Sequence, residues 1–121
     1  MGNRIVSLFL LWRVALILVV IGASFLVPTT SQFIPELLWR RGLPYWVWVF
    51  TNFDGVHYVT IAKGGYFFNL QPFFPLYPFS VSLVNDLVGF HRFINGHIIS
   101  AQVVSSAAFI VSALVIIELL R

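Results

Sequence analysis

Three long apolar runs, with a mixed segment between the first two, organise this chain. The first run, Ile5 to Val27, is broken only by Arg13. Its 23 residues, at about 1.5 Å each, exceed the roughly 30 Å of a hydrocarbon core and predict one spanning helix. Arg13 falls about two turns in, where a long stem is expected to snorkel toward the side of Arg4, placing the N-terminus in the cytoplasm. A cleaved signal peptide competes for the same residues: Val14 to Ala23 forms an apolar stretch, followed by the small Ser24. Continuation of the run through Phe25 to Val27 favours the span.

From 28 to 72 the pattern breaks down. Pro28, Pro35, Pro44 and Pro72 interrupt it, and Glu36, Arg40, Arg41, Asp54 and Lys63 bring in charge. This reads as a long non-cytoplasmic loop. Its aromatic residues, Trp39, Tyr45, Trp46, Trp48, Phe50, Tyr58 and Tyr66, suit a segment lying at headgroup level. Within it, Thr51 and Asn52 are possible N-caps and Gly64-Gly65 is a natural stop, which brackets a short interfacial helix over about 53–63. A second span is predicted over 73–90, with Pro75 and Pro78 in its first turns, where a missing donor costs least. Asn85 and Asp86 near its far end read as an interfacial cap, with a functional Asp86 as the minority reading. His91, Arg92 and Asn95 to His97 then make a cytoplasmic turn. A third span follows over 98–120, where Ala101, Ser105, Ala108 and Ser112 form a small-residue stripe of the kind that admits a close helix partner.

The predicted fold is therefore all-α and integral to a membrane: about three transmembrane helices, at 5–27, 73–90 and 98–120, in a single domain spanning 1–121. Composition agrees, with 60% hydrophobic and only 9% charged residues, too little charge to cover a soluble domain. The net charge of +3 comes from seven scattered Lys and Arg residues, with no basic cluster and no nucleic-acid footprint. Absence of cysteine excludes disulfides and thiolate metal sites.

Candidate chemistry gathers in Phe53-Asp54-Gly55-Val56-His57-Tyr58, followed by Ile61-Ala62 and Gly65-Tyr66. On a helix Asp54, His57, Tyr58 and Ile61 fall at i, i+3, i+4 and i+7, so carboxylate, imidazole and phenol share one face and can address one ligand. A carboxylate among aromatics at a membrane surface loses solvation, which makes it a better base. The alternative is that Asp54 caps the helix, accepting from the amide of Val56 or His57. For His57 the alternative is an interfacial side chain with a satisfied imidazole. No second ligand stands at metal spacing, so neither a metal nor another cofactor is expected.

Residues 53–66, from Phe53-Asp54-Gly55-Val56-His57-Tyr58 through Ile61-Ala62-Lys63-Gly64-Gly65-Tyr66, and then Phe73-Phe74-Pro75-Leu76-Tyr77-Pro78, resemble the signature of the PIG-V-like mannosyltransferases. This family includes the enzyme that adds the second mannose to glycosylphosphatidylinositol anchors, and its bacterial relatives. The likeness is specific over 53–78 and extends through hydropathy and helix order from the first run to the third. Phe53 departs from the family's usual Trp. The segment 67–72 lacks an acidic residue often found there, Asn69 being the nearest polar position. The family's multi-span GT-C fold has several more helices, so the resemblance implies a partial GT-C architecture, the N-terminal portion of a larger enzyme.

By that resemblance the chain would be part of a glycosyltransferase acting on a lipid-phosphate sugar donor, a polyprenyl- or dolichyl-phosphate mannose. Asp54 would be the catalytic base, with His57, Tyr58 and Lys63 binding substrate; Arg40 and Arg41 are further candidates for the cation beside the leaving phosphate. The membrane would be the bacterial plasma membrane or, in a eukaryote, that of the endoplasmic reticulum. Two readings compete with transfer: a non-catalytic three-span scaffold or partner subunit, meeting other membrane helices through Ala101, Ser105, Ala108 and Ser112, and, more remotely, a transporter.

Overall fold

The computed structural model describes residues 2–28, 49–51, 53–93 and 95–120. Pro35, Glu36, Trp39, Arg40, Arg41, Pro44, Tyr45, Trp46, Trp48 and Asn52, to which the sequence reading gave roles, lie outside the described residues.

The described residues are all-helical: α1 (Gly2–Leu26), α2 (Asp54–Gly64), α3 (Leu76–Leu87) and α4 (Gly96–Leu119), with short 3₁₀ turns at Val49–Thr51 and Phe90–Arg92. Two segments are long and apolar enough to cross a membrane, Arg4–Leu26 and Gly96–Leu119. Only 6% and 17% of their apolar windows are buried, far from the packed surroundings of a soluble protein's core helix. Their uncovered apolar surface points to a lipid environment.

The middle run behaves differently. Of the apolar stretch 73–90 predicted to span, twelve residues form α3, about 18 Å of helix against the roughly 30 Å of a hydrocarbon core. Pro75 stands at its N-cap. At the other end Gly89 takes a left-handed conformation, φ 77°, which costs glycine nothing and reverses the chain. One face of α3, carrying Pro78, Val81 and Asn85, is buried. On the other face Leu76, Phe79, Leu83 and Leu87 remain exposed, an apolar stripe along a short helix.

Helix α4 organises the rest. Its first turns pack tightly on α3: Ser100 and Val81 are fully buried, and Ala101 is 2% exposed. The approach is closest at Gly96, where a Cβ would collide with the Phe90 carbonyl oxygen and lie 2.6 Å from Asn85 Oδ1. Asn85 is thus a packed residue, 1% exposed, and not the interfacial cap its polarity suggests, whereas Asp86 is exposed. Half of the small-residue stripe is consumed inside the chain. Ala101 is covered, and Ser105 Oγ lies 2.9 Å from the Tyr77 hydroxyl, while Ala108 and Ser112 stay exposed.

The sense of α1 against α4 follows from their contacts. Phe9 stacks on Phe109 with ring centroids 5.1 Å apart, and Arg13 Nη2 donates to Gln102 Oε1 at 2.5 Å. Ile17 shares a cavity with Ile98 and Ile99. As one number rises the other falls, so the two helices are antiparallel. The Leu26 end of α1 and the Gly96 end of α4 lie together, and the Phe90–Arg92 turn lies at that same end. A three-span topology would have made α1 and α4 parallel and put that turn at the opposite end. Arg13 turns to α4, its guanidinium also 5.9 Å from the Phe9 ring, one turn toward Arg4, and 5.5 Å from the Phe50 ring.

Candidate functional site

Helix α2 carries the residues that the sequence singled out. It starts without a side-chain cap. Thr51, proposed as an N-cap, is buried in the preceding 3₁₀ turn, and the N-cap position belongs to Phe53, at φ 54° and ψ −127°. The first turn closes through the backbone, Val56 N–H donating to Phe53 O at 3.2 Å. A bulky residue at positive φ stores on the order of 1–3 kcal/mol of strain, a feature that gathers at functional sites. The Phe53 side chain is 78% exposed, so burial of its ring does not repay that strain. At the far end Gly65 N–H donates to Ile61 O at 2.8 Å and stops the helix where the glycine pair stands.

Asp54 therefore does not act as the cap. It is the first residue of α2, exposed, and its carboxylate makes no hydrogen bond among the described residues. His57 follows one turn later on the same side, also exposed, with about 5–6 Å between Cβ atoms at this spacing. The imidazole leans on Phe73, ring centroids 4.9 Å apart.

The shared face divides from there. Tyr58 is half-buried and meets Phe73 and Tyr77 edge-on, at 5.1 and 5.2 Å, while Ile61 is 6% exposed. These two side chains bind α2 to α3. Lys63 lies in the last turn, nine residues from Asp54, hence about 14 Å along the axis and half a turn around it. The structure brings Asp54 and His57 together, gives Tyr58 a packing position, and leaves Lys63 on the opposite side.

Much of the sequence signature is explained by packing. The Tyr66 hydroxyl donates to Phe73 O at 2.6 Å, which closes the turn between α2 and α3. Tyr77 donates its hydroxyl to Ala101 O at 3.1 Å and also reaches Ser105, which fixes α3 on α4. Pro78 is fully buried between them.

A second polar locus escaped the sequence reading. Arg13, Gln102 and Asn95 line a cavity of about 350 Å³ with Ile17, Phe50, Ile98 and Ile99. Gln102 Nε2 also donates to Phe50 O at 3.3 Å, so one amide ties α1, α4 and the 3₁₀ turn together. The signal was in the sequence: an arginine and a glutamine, each in the interior of an apolar run. Among the described residues no group of His, Asp or Glu is gathered to hold a metal ion. Comparison of the chain with family models, with curated proteins and with solved structures found no match.

Proposed function

We propose that the chain is the substrate-facing N-terminal part of a membrane glycosyltransferase, with Asp54 as its catalytic base. The observation that carries this reading is the state of Asp54: an exposed carboxylate, uncommitted to capping, on the first turn of α2 behind the strained Phe53. A purely structural aspartate at a helix start would accept from the N-terminal amides; this one is left able to accept from something else.

In the proposed reaction Asp54 takes the proton of an acceptor hydroxyl as that oxygen forms a bond to the anomeric carbon of the sugar. The bond from that carbon to the lipid-phosphate oxygen breaks, the phosphate leaves with the electron pair, and the configuration inverts. His57, one turn along, orients the acceptor. Mannose as the sugar, and a polyprenyl phosphate as its carrier, rest on the resemblance of residues 53–78 to PIG-V-like enzymes. Lys63 is too far around α2 to share a phosphate with Asp54, so the cation opposite that phosphate comes from elsewhere.

The membrane arrangement belongs to the same proposal. Helices α1 and α4 cross the bilayer as an antiparallel pair, with α2, α3 and the Phe90–Arg92 turn on one non-cytoplasmic side. There α3 packs along the first turns of α4 and turns Leu76, Phe79, Leu83 and Leu87 outward to the acyl chains. A bacterial plasma membrane or the endoplasmic reticulum membrane would serve.

The test is transfer in membranes carrying the protein as its gene encodes it, supplied with a polyprenyl-phosphate mannose. Asp54→Asn keeps the shape and removes the base. Mannosyl transfer is expected to fall about 10²–10⁴-fold with membrane insertion unchanged; transfer at the wild-type rate rules Asp54 out as the base. A second reading, a non-catalytic scaffold, draws on Ala108 and Ser112, which stay exposed on α4 and can admit a partner helix. A monomer in mild detergent counts against it.

A further inference from the structure

A side-chain amide on a spanning helix needs partners from neighbouring segments, because lipid offers none. Gln102, within the apolar segment Gly96–Leu119, uses both halves of its amide. Its Oε1 accepts from Arg13 Nη2 of α1, and its Nε2 donates to Phe50 O at 3.3 Å. Phe50 is held a second time, since the Arg13 guanidinium carbon lies 5.5 Å from its ring, a favourable placement for a cation over an aromatic face. The 3₁₀ turn Val49–Thr51 is thereby bound to both long helices.

The same turn supports the start of α2. A Cβ built on Gly55 would stand 3.8 Å from Phe50 O and 3.7 Å from Thr51 Cβ, ordinary van der Waals distances, and Thr51 is buried. The Phe50 carbonyl therefore meets both the Gln102 amide and the first turn of α2. Between turn and helix stands Phe53 at φ 54°, and a strained residue keeps such a conformation only while the structure on both sides holds it. After Phe53, α2 is held by Tyr58 and Ile61; before it, the hold is on Phe50. Asp54 follows Phe53 directly, so the placing of its carboxylate depends on that strained link. The cavity of about 350 Å³ that Phe50 lines with Arg13 and Gln102 gives the turn room to move once released. We infer that Gln102 is a positioning residue for Asp54: its hold on the Phe50 carbonyl fixes the turn against which α2 begins. The inference rests on the reading of Asp54 as the base. Gln102 acts through Phe50 and Gly55, with no part in the proton transfer itself.

Gln102→Glu separates this role from the pairing of α1 with α4. Its carboxylate still accepts from Arg13 but has no N–H to donate to Phe50 O. The test compares wild type and Gln102→Glu, each as the whole chain in nanodiscs, by hydrogen exchange and by transfer kinetics. Exchange over 53–58, which includes the Val56 amide bonded to Phe53 O, is expected to rise about fivefold, with exchange over α3 unchanged. In the transfer assay kcat is expected to fall about 10–100-fold, with KM for the polyprenyl-phosphate sugar within about twofold of wild type. Wild-type exchange over 53–58 in Gln102→Glu overturns the proposal, and so does faster exchange there with kcat unchanged. Absence of transfer by the wild type refutes the transferase reading alone, and the exchange comparison then decides whether Gln102 holds the turn.

Discussion

Tyr77 joins three helices through one side chain: its ring meets Tyr58 of α2 edge-on, and its hydroxyl reaches Ala101 O and Ser105 Oγ of α4. Tyr77→Phe keeps the ring and removes the hydroxyl, so a loss of about 0.5–1.5 kcal/mol is expected in denaturant unfolding followed by circular dichroism in detergent. Gly96 is less forgiving, because the atom in the way is a backbone carbonyl. Gly96→Ala must part α4 from the Phe90–Arg92 turn and from Asn85, and the same measurement should show a loss of about 1–3 kcal/mol. A Gly96→Ala protein as stable as wild type would mean that the α3–α4 contact is looser than described. At Asp54 the expectation differs in kind. An exposed carboxylate with no hydrogen bond among the described residues contributes little to folding, so Asp54→Asn should alter transfer and leave stability within about 0.5 kcal/mol.

At the scale of elements, α3 makes the sharpest prediction, since its two faces are both apolar but differently placed. Val81 is fully buried and Leu83 is 47% exposed. Val81→Ala should cost about 1–3 kcal/mol in unfolding, and Leu83→Ala no more than about 0.5 kcal/mol while weakening association with lipid vesicles. The two long helices were legible in the sequence because length and unbroken hydropathy suffice to specify them. The stop of α2 was legible too, since Gly64-Gly65 leaves few alternatives. Its start, too, falls within a residue of the expected position, but the capping was not legible: Thr51 has the chemistry of a cap but is buried in the preceding turn, and the backbone closes through Phe53. The length of α3 was misjudged for a related reason. Hydropathy scores Val81 against a helix and Leu83 against lipid alike, so a short packed helix with flanking turns counts as a span. Asp54 and His57 could be read from i, i+3 spacing, whereas the inward turn of Tyr58 depends on Phe73 and Tyr77, which no local pattern encodes.

The whole molecule rests on the pairing of α1 with α4, made by Phe9 with Phe109 and Arg13 with Gln102, contacts far apart in sequence that hydropathy cannot anticipate. In the membrane arrangement proposed above, the α2–α3 unit and the turn before α4 lie on one side, so the Asp54 face and that turn would look out on the same compartment. Counting three spans would have divided them. The absence of native cysteine allows a direct test: single-cysteine variants at Arg4, Phe67, His91 and Leu120, labelled in sealed vesicles with a membrane-impermeant maleimide. The account predicts that Phe67→Cys and His91→Cys react from one side and Arg4→Cys and Leu120→Cys from the other. Labelling of Phe67→Cys and His91→Cys from opposite sides would contradict it, because α3 would then cross the membrane.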